Sequence, residues 1–255
     1  MSNSQIFWNG TLASLLAGLA TGLGALPILF LPSKKLQKIS HRTIDMLLSF
    51  AAGIMLAASV FSLIIPAIEL GNIYVAMLGI FLGAFTIEIL DRYLPHEHFE
   101  KGYEGPKSHI KKIWLFVIAI TLHNFPEGMA VGVSFGGNEI STGVAVALAI
   151  GIQNIPEGTA VATSFLKVSY SRFKIFWIAL LTGLVEPLGG LIGAGLVVIA
   201  RPLLPFFLSF AGGAMLYIIS DEIIPESHSK GNETFSTFSL IFGFLIMMFL
   251  DNFFG

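Results

Sequence analysis

Cysteine is absent from this chain and charge is scarce, with only 12% of its 255 residues being Asp, Glu, Lys or Arg. The first absence excludes disulfides and metal capture by thiolate. The second excludes an ordinary soluble domain: 55% of the residues are hydrophobic and 23 are phenylalanine, more apolar surface than a chain this long can hide from water. The lipid bilayer is therefore the expected surrounding. A net charge of -2 says little about partners, because the distribution of charge matters more than its sum, and no nucleic-acid partner is expected. No Gly-x-x-x-x-Gly-Lys-Ser/Thr segment occurs, so the chain cannot by itself couple to ATP. No basic n-region or small-residue cleavage site precedes the first apolar run, and the N-terminus is expected to persist as a short tail.

Within this apolar background stands Leu122-His123-Asn124-Phe125-Pro126-Glu127-Gly128, echoed thirty residues later by Ile152-Gln153-Asn154-Ile155-Pro156-Glu157-Gly158. Each copy lies midway along a run long enough to cross a bilayer, where a carboxylate costs several kcal/mol and marks a functional site by default. His123 and Glu127 are four residues apart, as are Gln153 and Glu157, so each pair shares a helix face, with Asn124 and Asn154 three residues before the same acids. Each pair is half of a cation site. Imidazole, carboxylate and amide oxygen without sulfur suit zinc, iron(II) or manganese. Pro126 and Pro156 cannot donate to the carbonyls of Leu122 and Ile152, and each is expected to kink or break its helix at the polar cluster. The plain alternative, a buried histidine and two glutamates satisfying one another across a helix interface, does not account for the duplication.

These residues carry a resemblance. His123 to Gly128 and Gln153 to Gly158 resemble the fourth- and fifth-helix metal motifs of the ZIP family (zinc and iron permeases), particularly its small prokaryotic members, and the similarity extends over nearly the whole chain. Two departures stand out: Gln153 replaces a histidine common in the family, which weakens the expected preference for zinc, and Asn154 is neutral where some relatives have an acid.

Eight spanning segments are expected in an all-α polytopic membrane protein: Ile6 to Leu31, Ile44 to Ala67, Ile73 to Asp91, Ile113 to Phe135, Gly143 to Leu166, Phe173 to Ile199, Leu203 to Ile224, and Phe235 to Phe254. All basic residues except Arg201 fall in the loops after odd-numbered segments: Lys34, Lys35, Lys38 and Arg42; then Arg92, Lys101, Lys107, Lys111 and Lys112; then Lys167, Arg172 and Lys174; then Lys230. Those loops are cytoplasmic by the positive-inside rule, and both termini are extracytoplasmic.

The chain also repeats internally. Ser49-Phe50-Ala51-Ala52-Gly53-Ile54-Met55-Leu56 matches Ser209-Phe210-Ala211-Gly212-Gly213-Ala214-Met215-Leu216 at an offset of 160, where Gly83 meets Gly243 and Leu90-Asp91 meets Leu250-Asp251. Gly18 to Gly24 matches Gly183 to Gly189 at 165. Segments one to three thus correspond to six to eight. The two units, about residues 6–94 and 173–255, cross the membrane in opposite senses because their starts are five helices apart, an odd number. They flank the metal-site helices 113–166 in a 3+2+3 arrangement within one domain spanning residues 1–255.

The repeat isolates Glu186, whose partner is Thr21. A carboxylate in segment six beside Pro187 has no evident structural task and is expected to join Glu127 and Glu157 at the metal. The resemblance implies that such a glutamate bridges two adjacent ions. Glycines such as Gly128, Gly132, Gly189 and Gly193 are expected to let helices approach closely. Asp221 and Glu222, towards the cytoplasmic end of segment seven, read as solvated helix-end charges or as a stage on the metal's exit route. Pro95-His96-Glu97-His98-Phe99-Glu100, followed by His109 in a polar loop of about residues 92–112, reads as a solvated loop or as a flexible metal trap.

The resemblance implies a divalent-metal transporter of the plasma membrane. Zinc, and by the same ligands iron, manganese or cadmium, would be its substrate, moved into the cytoplasm by alternating exposure of a midplane site built by helices four, five and six. It also implies a rigid unit of helices one, four, five and six moving against the other four, and commonly a homodimer. The alternative is an intramembrane metal-dependent hydrolase, which requires a firmly held metal, an open water position and a general base. One histidine and amides at Asn124, Gln153 and Asn154 suit an ion that must leave again, and catalysis leaves the repeat unexplained, so the chain is not expected to be an enzyme.

Overall fold

In a bilayer, backbone groups have no water to turn to, so a spanning chain of this composition must pair every N–H and C=O within helices. A computed structural model describes residues 1–31, 39–98, 102–107, 109, 112–137, 140–167, 170–228 and 231–254, and they form long helices with one small hairpin. The helices are α1 (Asn3–Phe30, turning at Leu26), α2 (His41–Leu70), α3 (Ile73–Tyr93), α4 (Lys112–Ser134), α5 (Ile140–Ser164), α6 (Arg172–Ile199), α7 (Arg201–Ser227) and α8 (Glu233–Phe254). Seven of these are long and apolar enough to cross a membrane, and α4, which carries His123 and Glu127, matches them at 23 residues. The chain is an all-α polytopic membrane protein. Polar residues at the boundaries start several helices: Ser2 forms a capping box with Gln5, and Ser40, Asn72 and Ser171 accept from backbone N–H groups of α2, α3 and α6. Lys34, Lys35, Lys38, Phe99, Glu100, Lys101, Lys111 and Lys230 lie outside the described residues.

The helix breaks differ from those expected. The sequence placed the broken helices at α4 and α5, yet both continue through Pro126 and Pro156 without a gap. A proline costs one ladder bond, and the turns on either side persist where neighbouring helices clamp them. The break falls in α6 instead: Leu184 and Val185 leave the helix, and a second half begins at Glu186, with Pro187 in its first turn. Further departures are π-helical turns at Ala58–Ile64 in α2 and Ile219–Ile223 in α7, each followed by a proline, Pro66 or Pro225.

The loop after α3 is also more ordered than expected. β1 (His96–His98) pairs antiparallel with β2 (Gly102–Glu104), His96 opposite Glu104 and His98 opposite Gly102. His96 is buried, its Nδ1 2.7 Å from the carbonyl of Leu94, whereas His109 is exposed. The two therefore do not gather as a flexible trap.

Helix packing is doubled. Among the most extensive contacts, α3 lies on α7 as α8 lies on α2, and α1 lies on α5 as α6 lies on α4. Contacts match residue by residue: a Cβ on Gly83 would strike the carbonyl of Phe210 and one on Gly243 that of Phe50, while Gly53 faces Leu240 and Gly213 faces Ile80. Each pair repeats the other at the offset of 160. Valine at Gly83 or at Gly243 must push two backbones apart and is expected to cost about 1–3 kcal/mol each. Equal losses of thermal stability in detergent would reveal the shared geometry, and unchanged melting of either variant would contradict it.

Candidate metal centre

The two motifs meet at the middle of the bundle because their terminal glycines let other helices press in. A side chain on Gly128 would collide with the backbone of Glu186 in α6, and one on Gly158 with that of Thr21 in α1. The first of these contacts sets the broken end of α6 against the α4 motif. Glu186 occupies the opening turn of the second half-helix, where unpaired N–H groups favour an acid.

Glu127, Asn124, Gln153, Asn154 and Glu186 are fully buried, and His123 and Glu157 nearly so, at 7% and 5% exposure. Glu157 and Glu186 are the charged neighbours of Glu127. Amides hold this acidic cluster apart. Gln153 Nε2 donates to Glu127 Oε1 at 2.7 Å, and Asn154 Nδ2 donates to Glu186 Oε1 at 2.6 Å and to the Ala17 carbonyl at 2.8 Å. With its NH2 so committed, each amide leaves its oxygen over. Gln153 Oε1, Asn154 Oδ1, Glu127 Oε2, Glu157 Oε2 and Glu186 Oε2 are buried without a hydrogen-bond partner among the described residues, as are both polar atoms of Asn124. An unpaired buried acceptor costs about 1–3 kcal/mol and more when charged, so this is no packing solution. A cation would satisfy these partnerless buried oxygens, which come from α4, α5 and α6. Among the described residues no three histidine or acidic side chains gather closely enough to hold a metal ion.

His123 departs from the simple half-site. Its Nε2 lies 2.5 Å from Glu222 Oε2, on the π-helical turn of α7, rather than turning to Glu127. Glu222 is buried at 1% exposure, so it is not a solvated helix-end charge, while Asp221 beside it is only half-buried. The extra residue of the π turn rotates Glu222 inward, a feature that no spacing in the sequence announces. Asp91 was also missed as a site residue: it is buried, with Glu222 and His123 among its charged neighbours, and its Oδ1 lies 3.7 Å from His96 Nε2. Its signal was in the repeat, for its counterpart Asp251 accepts from Ser62, the counterpart of Glu222, at 2.6 Å. The backbone of His98 is in β1.

The description "ZIP Zinc transporter" matches residues 96–251, well over half of the chain. This chain belongs to the ZIP family. It is 45% identical to the Zinc transporter GufA of Myxococcus xanthus over 95% of this chain and 97% of that one. It is 43% identical to the Zinc transporter ZIPB of Bordetella bronchiseptica, over 92% and 78%, and 33% identical to human Zinc transporter ZIP11, over 83% and 88%. The ZIP family is one of transporters, not enzymes, and the hydrolase reading falls away. The His123 and Gln153 motifs lie within the matched stretch, as do Glu186 and Glu222.

Proposed function

We propose that this ZIP protein carries zinc, and with it iron(II), manganese or cadmium, across the plasma membrane into the cytoplasm. The observation that carries the reading is the set of partnerless buried oxygens on Asn124, Glu127, Gln153, Asn154, Glu157 and Glu186, drawn from α4, α5 and α6 in the middle of the bundle. Relatives named zinc transporters along almost the entire chain support the choice of substrate. The oxygen-rich, single-histidine donor set supports a broader metal range than zinc alone. Three carboxylates offset most of the charge of two adjacent ions, and in this reading Glu186 bridges them.

Alternating access is supported by the doubled contacts of α2, α3, α7 and α8 and by the matched π turns, as expected of inverted repeats in a 3+2+3 arrangement. In this reading α1, α4, α5 and α6 move as a unit against the other four helices, and the protein works as a homodimer. Counterflow tests the carrier mechanism. Liposomes preloaded with unlabelled zinc should accumulate labelled zinc transiently above equilibrium, and simple monotonic equilibration would mean a channel.

Orientation has its own test, made clean by the absence of native cysteine. Ser171→Cys, at the start of α6 among basic residues, and Ser33→Cys should resist an impermeant thiol reagent in intact cells, whereas Asn138→Cys should react. Ser33 and Asn138 lie outside the described residues. Labelling of Ser171→Cys from outside would overturn the extracytoplasmic placement of both termini.

A further inference from the structure

A cavity of about 30 Å³, enough for one or two water-sized occupants, leads away from the acidic cluster between α2, α4, α5 and α7. Glu157 lies on its wall with Oε2 buried and partnerless, so the cavity begins at a polar group that wants a cation. His123 and Glu222, 2.5 Å apart, line it next. The remaining carboxylate on the wall is Glu226, half-buried, one helical turn beyond Glu222 in the last turn of α7. Leu48, near the start of α2, and Ala119 and Ile120, in the first half of α4, complete that end. Both helices enter from loops that carry the basic residues, so the cavity leads from the membrane centre towards the side that the charge pattern makes cytoplasmic.

We propose that Glu226 is a cation-binding station at the cytoplasmic mouth, holding the ion with Glu222 after it leaves Glu157 and His123. The inference rests on the inward transport reading above and adds the place of release. Its chemistry suits that task. Glu222 and Glu226 offer oxygen only, to an ion that keeps most of its water, which is a weaker hold on zinc than imidazole gives. A path through the membrane needs such a step, since an ion bound tightly at every station is not released.

Transport by Glu226→Gln tests the role in flux. With the isosteric amide, maximal zinc uptake into liposomes should fall about fivefold with little change in the half-saturating concentration, because the first binding site is untouched while release is slowed. Glu226→Asp should restore at least half of the flux. Wild-type uptake by Glu226→Gln at equal abundance would overturn the proposal, and so would a loss of abundance that Asp does not repair, which marks a structural role. Glu226→Cys gives a readout independent of flux. In inside-out membrane vesicles its labelling by an impermeant thiol reagent should be slowed by zinc, while labelling of Ser171→Cys is not; indifference to zinc would overturn the station. Failure of the unaltered protein to move zinc would bring down the transport reading itself and this inference with it. Normal transport with an indifferent Glu226 would bring down the inference alone.

Discussion

Glu127→Ala is expected to reduce metal uptake to that of protein-free membranes, a loss of about 100-fold or more, since even partners behind a metal ligand are worth 10–100-fold. His123→Ala should do the same. The physical case for a role in binding rather than in folding lies in the energetics of Glu127. Its carboxylate is fully buried beside Glu157 and Glu186, satisfied on one oxygen by Gln153 and on the other by nothing among the described residues. Such a group costs folding energy unless a cation meets it. A buried carboxylate with one oxygen unpartnered is costly and the amide removes its charge, so Glu127→Gln should melt no lower than the native chain while transporting nothing. Uptake at the native rate by Glu127→Ala at equal membrane abundance would remove Glu127 from the site. Lower melting of Glu127→Gln would make the residue structural.

Gln153→His is expected to change the choice of metal. Gln153 now donates one nitrogen to Glu127 and holds its oxygen, without a partner, in the buried centre. An imidazole can keep both functions: one ring nitrogen donates to Glu127 while the other offers a lone pair where the amide oxygen stood. Nitrogen for oxygen favours zinc over manganese, and we expect the half-saturating zinc concentration to fall about tenfold relative to that for manganese. The maximal zinc flux should fall as well, because an ion held more firmly leaves more slowly. Competition uptake with zinc, iron(II), manganese and cadmium decides the matter. An unchanged order of preference would mean that Gln153 touches no ion, and the ligand set would contract to His123, Glu127, Glu157 and Glu186.

Much of this architecture was legible because a bilayer narrows the options. Apolar runs bounded by basic loops located all eight helices to within a few residues, and the duplicated Asn-x-Pro-Glu-Gly located the acids that face each other at the centre. Glu186 stood out through its mismatch with Thr21, and the structure sets it at the same cluster, bonded to Asn154. What escaped the sequence was backbone detail decided by packing. Proline suggested breaks at Pro126 and Pro156, but α4 and α5 continue through both, whereas the break in α6 falls just before Pro187, and the sequence does not tell which proline a packed bundle lets interrupt its helix. The π turn that brings Glu222 to His123 has no signature in composition, since it is one extra residue accommodated within a helix. His96 was read as part of a solvated loop or a flexible metal trap, and its burial escaped for a similar reason: strand pairing opposite Glu104, not local polarity, accompanies it.

The central claim is that zinc crosses the membrane through the oxygen-lined centre of α4, α5 and α6. Its most direct test is the uptake of radiolabelled zinc into liposomes containing only this protein, native or with Glu157→Ala. Zinc should accumulate in vesicles with the native chain well above protein-free vesicles and not at all with Glu157→Ala at equal incorporation. Accumulation by the two forms at the same rate, or by neither, would contradict it.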